Sequence, residues 1–181
     1  MKRVFKAWGT KLLVAGAVLL SMSLASAGHM RASGLTTAGQ KWLMHMREEE
    51  KLARDVYLSM YGLWGSRIFG KISNAEQMHT TVLKKALNRY GIPDPAAGHG
   101  QGVFTDPDFQ ALYTQLVEKG RASLADALKV GVQIEELDIA DLDSAIAATA
   151  QKDIKKIYGN LRRGSYNHLR AFRSGLANSG S

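Results

Sequence analysis

Apolar residues recur along the chain at intervals of three and four, which is the period of an amphipathic α-helix. Four such stretches are long and cover residues 37–61, 66–90, 123–148 and 151–176, and a shorter stretch covers about 107–119. No segment shows the sustained alternation of apolar and polar residues that marks a strand. The pattern therefore predicts an all-α protein with four long helices.

The positions of capping residues agree with the helix ends that the apolar period predicts. Thr37 and Gln40 have the spacing of a capping box at the start of the first helix. Ser123 and Asp126 repeat that signal at the start of the third long helix. Gly91 follows the second helix and suits the left-handed conformation of a helix end. Helix boundaries are thus predicted by residue chemistry as well as by the apolar period.

The lengths of the connections predict the order of the helices in space. Short connections join the first helix to the second and the third long helix to the fourth, so each pair is expected to form an antiparallel hairpin. The connection between the second and third long helices takes about 30 residues, holds all three prolines and carries the short helix. An up-down four-helix bundle with one long crossover is the connectivity of ferritin-like folds. Gly159 and Gly164 interrupt the last helix pattern.

The beginning of the chain follows another pattern. Four basic residues within 2–11 precede an apolar run at 12–24, and an A-x-A cleavage site follows at 25–27. The run of about 13 residues is shorter than the roughly 20 that a spanning helix needs, which favours a secretory signal peptide over a membrane anchor. The expected segments are a signal peptide at 1–27, a flexible lead at 28–36, the bundle domain at 37–176 and a flexible tail at 177–181. The mature protein is expected to be secreted or periplasmic and not bound to a membrane.

Composition excludes several classes of protein. With 45% hydrophobic and 22% charged residues, the 181-residue chain is not disordered. It has no cysteine, which excludes disulfides, zinc–thiolate sites, iron–sulfur clusters and cysteine nucleophiles. Four of the basic residues behind the net charge of +8 lie in the predicted signal peptide. No basic cluster with interleaved aromatic residues remains, so we expect no nucleic-acid partner.

Polar residues interrupt the predicted inner faces of all four long helices. On a helical wheel these are Glu50 on the first helix, Glu76 and His79 on the second, Glu135 and Asp138 on the third, and Ser165 and His168 on the fourth. Glu48, Glu49 and Glu136 point elsewhere on the wheel, and His45 faces away from the apolar stripe. A buried carboxylate must be paired, protonated or bound to a metal. Carboxylates and imidazoles together suit iron, manganese and zinc, so the pattern predicts a metal site, with a pair of ions to offset the negative charge.

Each of these residues also has a plainer interpretation. Glu76, three residues after Ser73, has the position of a capping-box acid, and Glu50 has Arg54 one turn away as an ion-pair partner. His168 has the position of a cation near a helix end. The acids of the third long helix also fit a solvated face. We expect Arg54 to lie on the inner face and to form an ion pair with Asp138 or Asp141.

Four segments of the chain resemble a bacterial ferritin-like family of unknown function. They are EEEKLARDVY (48–57), SNAEQMH (73–79), IEELDIADL (134–142) and GSYNHLRAF (164–172). More distantly, Glu50 followed by Tyr57 is similar to the first-helix metal ligand of ferritins and bacterioferritins. The resemblance implies a fold and a metal site, and it implies no particular reaction.

The chain departs from the patterns of ferritins and bacterioferritins at two points. The ferritin pattern has Glu-x-x-His on the fourth helix, where this chain has Ser165 and His168, so one bridging carboxylate is missing. Asp138, three residues after Glu135, could replace it from the third long helix. A bacterioferritin-like Glu-Leu-Asp string matches Glu136, whereas the helical wheel favours Glu135, and both remain candidates for the metal ligand. Tyr57 and Ser165, like Arg54 and Asp138, are expected beside the ligands rather than among them.

These observations lead to two hypotheses about function. The first is an exported metalloprotein with iron or manganese, as one ion or two, or with zinc, which reacts with dioxygen or peroxide or oxidises iron(II) as an oxidoreductase. The second is a non-catalytic helical protein that binds a metal or a partner outside the cytoplasm. Expected partners are small oxidants or metal ions. No sequence feature identifies an assembly surface, so a storage cage is not expected and the oligomeric state stays open.

Overall fold

The fold was analysed in a computed structural model that describes residues 34–179. Every regular element in that range is a helix: α1 Thr37–Trp64, α2 Arg67–Arg89, α3 Pro107–Gly120, α4 Leu124–Ala148 and α5 Lys152–Ser179. The expectation of an all-α protein with a short helix in the long crossover is therefore confirmed for these residues. The predicted signal peptide, most of the predicted lead and the last two residues of the tail lie outside the described residues.

Side-chain oxygens cap the helices close to where the sequence predicted. Ser123 accepts a hydrogen bond from the Asp126 N–H at the start of α4, as expected. At α1 the cap is Thr36, whose hydroxyl oxygen accepts from the Gly39 N–H at 3.1 Å, one residue before the Thr37 of the prediction. Helix α5 runs through Gly159 and Gly164 without interruption, because its neighbours offset the cost of glycine in a helix.

The four long helices pack side by side, and α3 covers α1 and α4. Contacts fix their directions: along α1, His45 meets Asp141 and Tyr57 meets Glu135, so α1 and α4 are antiparallel. Each of the pairs α1–α2, α4–α5 and α2–α5 is antiparallel as well. Helices α2 and α4 consequently run in the same direction, which is why a long crossover must join them. None of the helices in residues 34–179 combines the length and the apolar content that crossing a membrane requires.

Two apolar clusters divide the interior along the helix axes. One contains Tyr57, Phe69 and Phe172 among its members, and the other contains Leu43 and Leu87. On every long helix, the stretch between the two clusters includes polar side chains that are buried in the interior. Burial of the apolar side chains at about 25 cal/mol per Å² drives packing on both sides of this level. Apolar packing therefore holds the helices together on both sides of a layer of polar side chains.

A separate charged cluster ties the crossover to α1. The fully buried carboxylate of Asp55 accepts hydrogen bonds from Lys51 Nζ, from Arg54 Nε at 2.8 Å and from the Gly102 N–H at 2.9 Å. Lys51 Nζ also donates to the Gly100 carbonyl at 2.8 Å. Asp55 therefore connects α1 to the loop that leads to α3.

These contacts correct the expectation for Arg54. Its guanidinium pairs with Asp55 on its own helix and donates to Gln77 Oε1 of α2 at 2.8 Å, and it forms no ion pair with Asp138 or Asp141. The physical reason is proximity, because the neighbouring Asp55 carboxylate lies within reach of Arg54 without any crossing of the bundle. The layer therefore lacks the cation that the sequence analysis assigned to it.

Replacement of Asp55 is expected to destabilise the fold strongly. Asp55→Ala leaves the buried Lys51 ammonium without its carboxylate, a change that costs on the order of 3–5 kcal/mol. Asp143→Ala is the matched control: its ion pair with Arg162 is exposed, and such pairs contribute about 0–1 kcal/mol. Urea unfolding measures both, and equal losses in the two variants would contradict this account.

Candidate metal centre

The polar layer comprises eight side chains that the four long helices bring to one level. They are Glu49 and Glu50 of α1, Glu76 and His79 of α2, Glu135 and Asp138 of α4, and Ser165 and His168 of α5. Its five carboxylate residues are only 1–4% exposed. The apolar residues on either side of each position hold these polar groups inside.

Glu76 lies at the centre of the layer and faces both of its imidazoles. Its Oε2 lies 2.7 Å from His79 Nδ1, and its Oε1 lies 2.7 Å from His168 Nδ1. His79 Nδ1 is also 3.1 Å from Glu50 Oε2, and His168 Nδ1 is 3.6 Å from Glu135 Oε2. The two oxygens of one carboxylate thus point to different histidines on different helices.

Two sets of three residues could each hold an ion. Glu50, Glu76 and His79 form one set, and Glu76, Glu135 and His168 form the other; within each set, one donor atom per residue lies within 4.8 Å of the others. His168 Nδ1 is close to Glu76 Oε1 yet lacks hydrogen-bond alignment. Because Glu76 belongs to both sets, its carboxylate is placed to bridge two ions.

Hydroxyl groups orient two of the other carboxylates. The buried Tyr57 hydroxyl donates to Glu135 Oε1 at 2.6 Å, and Ser165 Oγ donates to Asp138 Oδ2. Tyr57 is held between the rings of Phe69 and Phe172. Hydrogen bonds of this kind fix the direction in which a carboxylate presents its second oxygen.

The electrostatics of the layer divide its carboxylates into two groups. Burial, followed by the charge of Asp138, raises the pKa of Glu50 well above its ordinary value. Burial and the charge of Glu76 raise the pKa of Glu135 to about 8. Burial raises the pKa of Asp138 to about 7, against the hydrogen bond from Ser165. These three carboxylates hold protons more tightly than they would in water.

Glu76 and the histidines behave in the opposite way. Burial opposes the ionisation of Glu76, but its close contacts with the imidazoles of His168 and His79 outweigh burial and lower its pKa to about 2. Burial likewise disfavours a charged imidazole, yet Glu50 and Glu76 raise the pKa of His79 to about 11. For His168, Glu135 and Glu76 overcome burial and raise the pKa to about 9. Protons on the imidazoles thus take the place of cations between the carboxylates.

Apart from His45, whose Nε2 lies 3.7 Å from Glu49 Oε2, the layer has no other source of positive charge within the described part of the chain. No Lys or Arg of residues 34–179 forms an ion pair with its five carboxylates. Glu50 Oε1, Asp138 Oδ1 and both Glu49 oxygens are buried without a hydrogen-bond partner. Unsatisfied buried oxygens are costly, and a bound cation would satisfy them. The mixed carboxylate and imidazole donors fit iron, manganese or zinc.

Of the two candidate ligands on the third long helix, the structure brings only Glu135 into the layer. Glu136 is about half exposed and its Oε1 lies 2.7 Å from Arg173 Nη2 of α5. This corrects the inclusion of Glu136 among the candidate ligands, because one residue along a helix turns a side chain by about 100°. Glu50, Glu76, His79 and His168 lie together as expected.

Sequence reasoning missed Glu49 and His45. Glu49 is 1% exposed rather than turned away, and His45 Nε2 lies 3.0 Å from Asp141 Oδ2. Helix α1 is covered by α2, α3 and α4, so residues 46–53 are all buried. A helical wheel that assumes a single buried face cannot reveal that a second face of α1 is buried as well.

Gly164 was also missed, because it looked only like an interruption of the helix. A Cβ atom at this position would lie 2.7 Å from His79 Cε1 and 2.8 Å from His79 Nε2. Any larger residue would push the imidazole from its place. The absence of a side chain at Gly164 therefore shapes the site as directly as a ligand does.

Gly164→Ala is expected to lower the pKa of His79 from about 11 towards its ordinary value of 6.5. The added methyl group displaces the ring from Glu50 and Glu76, whose carboxylates stabilise the protonated form. NMR titration of the chelator-treated protein measures this pKa. Gly159→Ala is the control, because a Cβ atom there meets nothing within 4 Å, and an unchanged His79 in Gly164→Ala would contradict the assigned role.

Comparisons with known proteins identify relatives over most of the chain. The uncharacterized protein MJ0754 of Methanocaldococcus jannaschii is 54% identical over 139 residues, which are 77% of this chain and 75% of the relative. The crystal structure of hypothetical protein MJ0754 from Methanococcus jannaschii matches with a TM-score of 0.78 at 46% identity, over 91% of this chain and 88% of that one.

A more distant likeness concerns the fold alone. The crystal structure of a DUF305 fragment from Deinococcus radiodurans has a TM-score of 0.59 at 15% identity, and the match covers 80% of this chain and 98% of the fragment. Residues 39–181 match the family described as an uncharacterized protein domain, DUF2202. The family match extends over all four long helices, including every residue of the polar layer. The chain therefore belongs to the DUF2202 family.

Proposed function

We propose that this chain is a ferritin-like metalloprotein that binds two transition-metal ions in the polar layer. The observation that carries the proposal is the position of Glu76, whose two oxygens face His79 and His168 separately. Antiparallel packing with one long crossover between α2 and α4 is the connectivity of ferritin-like folds, which supports the fold assignment. No Lys or Arg of residues 34–179 forms an ion pair with the carboxylates of the layer, which supports the need for cations.

In this proposal Glu50, Glu76 and His79 hold one ion, and Glu76, Glu135 and His168 hold the other. Iron and manganese suit this donor set, and zinc is the redox-inert alternative. Ser165 stands where the ferritin pattern has a second bridging glutamate. Asp138, held by Ser165 Oγ, offers its free Oδ1 as the replacement carboxylate.

Bound iron or manganese would supply one-electron redox chemistry towards dioxygen, peroxide or iron(II). The chain's own residues prepare the site for that chemistry. Tyr57 holds Glu135 Oε1 and so keeps Oε2 on the His168 side. To serve as ligands, Nδ1 of His79 and Nδ1 of His168 would have to lose their protons. The carboxylates favour the higher metal charge that oxidation produces, and the apolar clusters exclude water from both sides.

The proposal places the protein outside the cytoplasm, because residues 1–27 have the pattern of a signal peptide. Its partners are then metal ions and small oxidants. Two surface clefts of about 270 Å³ each are lined by residues outside the polar layer, including Tyr61 in one and Arg89 in the other. The second candidate is a metal-binding or partner-binding protein that holds its ions without turnover.

Metal content tests the two-ion arrangement. Relative to the parent protein purified without chelator, Glu76→Ala is expected to lose two ions per chain, because its carboxylate serves both. His168→Ala is expected to lose one, and Glu136→Gln, on the exposed face, none. Mass spectrometry of native protein counts the ions. A parent protein that carries no metal and keeps its melting temperature in chelator would contradict the proposal.

Reaction kinetics separate the two candidate functions. Stopped-flow mixing of the iron-loaded protein with dioxygen or peroxide is expected to give a fast absorbance change that His79→Ala abolishes. Glu136→Gln is expected to react like the parent. Tight metal binding with no such change in the parent protein would support the non-catalytic candidate instead.

A further inference from the structure

A second group of metal-type donors lies on the α1–α4 flank of the polar layer. His45 Nε2 is 3.0 Å from Asp141 Oδ2 and 3.7 Å from Glu49 Oε2. One donor atom from each of these three residues lies within 4.8 Å of the others. His45 and Glu49 are four residues apart on α1, so both side chains project from one face towards α4. None of the three belongs to either ligand set of the proposed pair.

Glu49 distinguishes this group from an ordinary acidic patch. Acidic side chains on a surface are solvated, whereas the Glu49 side chain is 2% exposed and neither of its oxygens has a hydrogen-bond partner. No Lys or Arg among residues 34–179 forms an ion pair with it. Burying an ionised carboxylate without a donor or a cation is costly. A positively charged ligand would complete the environment of Glu49.

His45 and Asp141 leave the group accessible from solvent, and the packing of the His45 ring fixes the position of its donor nitrogen. The side chains of His45 and Asp141 are 28% and 26% exposed, so the group is open to solvent on one side. The His45 ring packs between Trp42, at 5.4 Å between ring centroids, and Phe109, at 5.0 Å. Its Nε2 is thus held on the side where Glu49 and Asp141 lie.

We propose that His45, Glu49 and Asp141 form a third binding site, for a first-row transition-metal dication that enters from solvent. An imidazole nitrogen with two carboxylates suits zinc, iron or manganese, whereas magnesium and calcium take oxygen ligands. Asp138, one turn from Asp141, has a free buried Oδ1. Because Asp138 and Glu49 both belong to the polar layer, carboxylates continue without a break from this site into that layer. The inference rests on these side chains alone and does not depend on the proposed redox function.

Zinc is a suitable probe because it has no redox chemistry of its own. Full-length protein is freed of metal and equilibrated with Zn²⁺ by dialysis, and the bound ions are counted by mass spectrometry. Asp141→Asn removes one ligand charge with almost no change of shape. Asp143→Asn is its matched control, two residues further on α4 and paired with Arg162 at the surface. Glu49→Gln is the second variant and removes the buried charge.

The parent protein is expected to bind three zinc ions per chain. Asp141→Asn and Glu49→Gln are expected to weaken one of them at least about tenfold, since even outer-shell changes weaken metal sites by 10–100-fold. Asp143→Asn is expected to keep all three. Anomalous diffraction at the zinc edge is expected to show a peak about 2.0–2.2 Å from His45 Nε2.

Removal of the core pair separates this inference from the proposed function. In Glu76→Ala, one zinc ion is expected to remain and to be lost when Asp141→Asn is added. If the parent binds only two ions and Asp141→Asn retains both, the third site is overturned while the core pair stands. If the parent binds one ion that only Asp141→Asn and Glu49→Gln weaken, the third site stands and the core pair fails.

Discussion

Five buried carboxylate residues at one level of a helical bundle are the constraint on which the rest of this structure depends. Within residues 34–179, the groups that can bring positive charge to them are imidazoles. Those of His79 and His168 both contact Glu76, and that of His45 lies 3.7 Å from Glu49. Such a layer would be pushed apart by its own charge if the helices were free to separate. The apolar clusters on its two sides prevent this, since each long helix contributes side chains to both of them. Packing therefore supports an arrangement that electrostatics alone opposes.

Two other buried acids show how hydrogen bonds from protein groups can satisfy a buried carboxylate. Asp55 receives hydrogen bonds from two basic side chains and a backbone N–H. Glu48, one turn before Leu52, accepts from the Thr105 and Asp106 N–H groups of the crossover. Both acids hold the loop between α2 and α3 in place. In the polar layer, by contrast, Glu50 Oε1 has no hydrogen-bond partner. The fold is therefore able to satisfy a buried acid with protein groups. On α1 it does so for Glu48 and Asp55, whereas Glu49 and Glu50 keep oxygens without a hydrogen-bond partner.

The helices and the central residues of the polar layer were predictable because both follow from a fixed rotation per residue. Glu76 and His79 sit three apart on one apolar stripe, so one wheel was enough to find them. Other features depend on neighbours that the wheel does not represent. Glu49 is buried because α4 covers a second face of α1, and Arg54 turns to the adjacent Asp55. Gly164 matters through the His79 ring of another helix. Each of these cases was decided by contacts with particular neighbouring residues, which the helical period does not represent.

The serine at position 165 explains the asymmetry of the layer. A glutamate there would have supplied a carboxylate from α5, opposite α1. Instead Ser165 Oγ donates to Asp138, and the acids gather where α1 faces α4. The charges of Asp138 and Asp141 are the largest neighbouring influences, after burial, that raise the pKa of Glu49 well above its ordinary value. A carboxylate-rich flank of this kind would attract cations and offer them carboxylates at successive depths. A layer with a further carboxylate on α5 would lack this direction, so Ser165 and the partly exposed His45 on α1 are two parts of one arrangement.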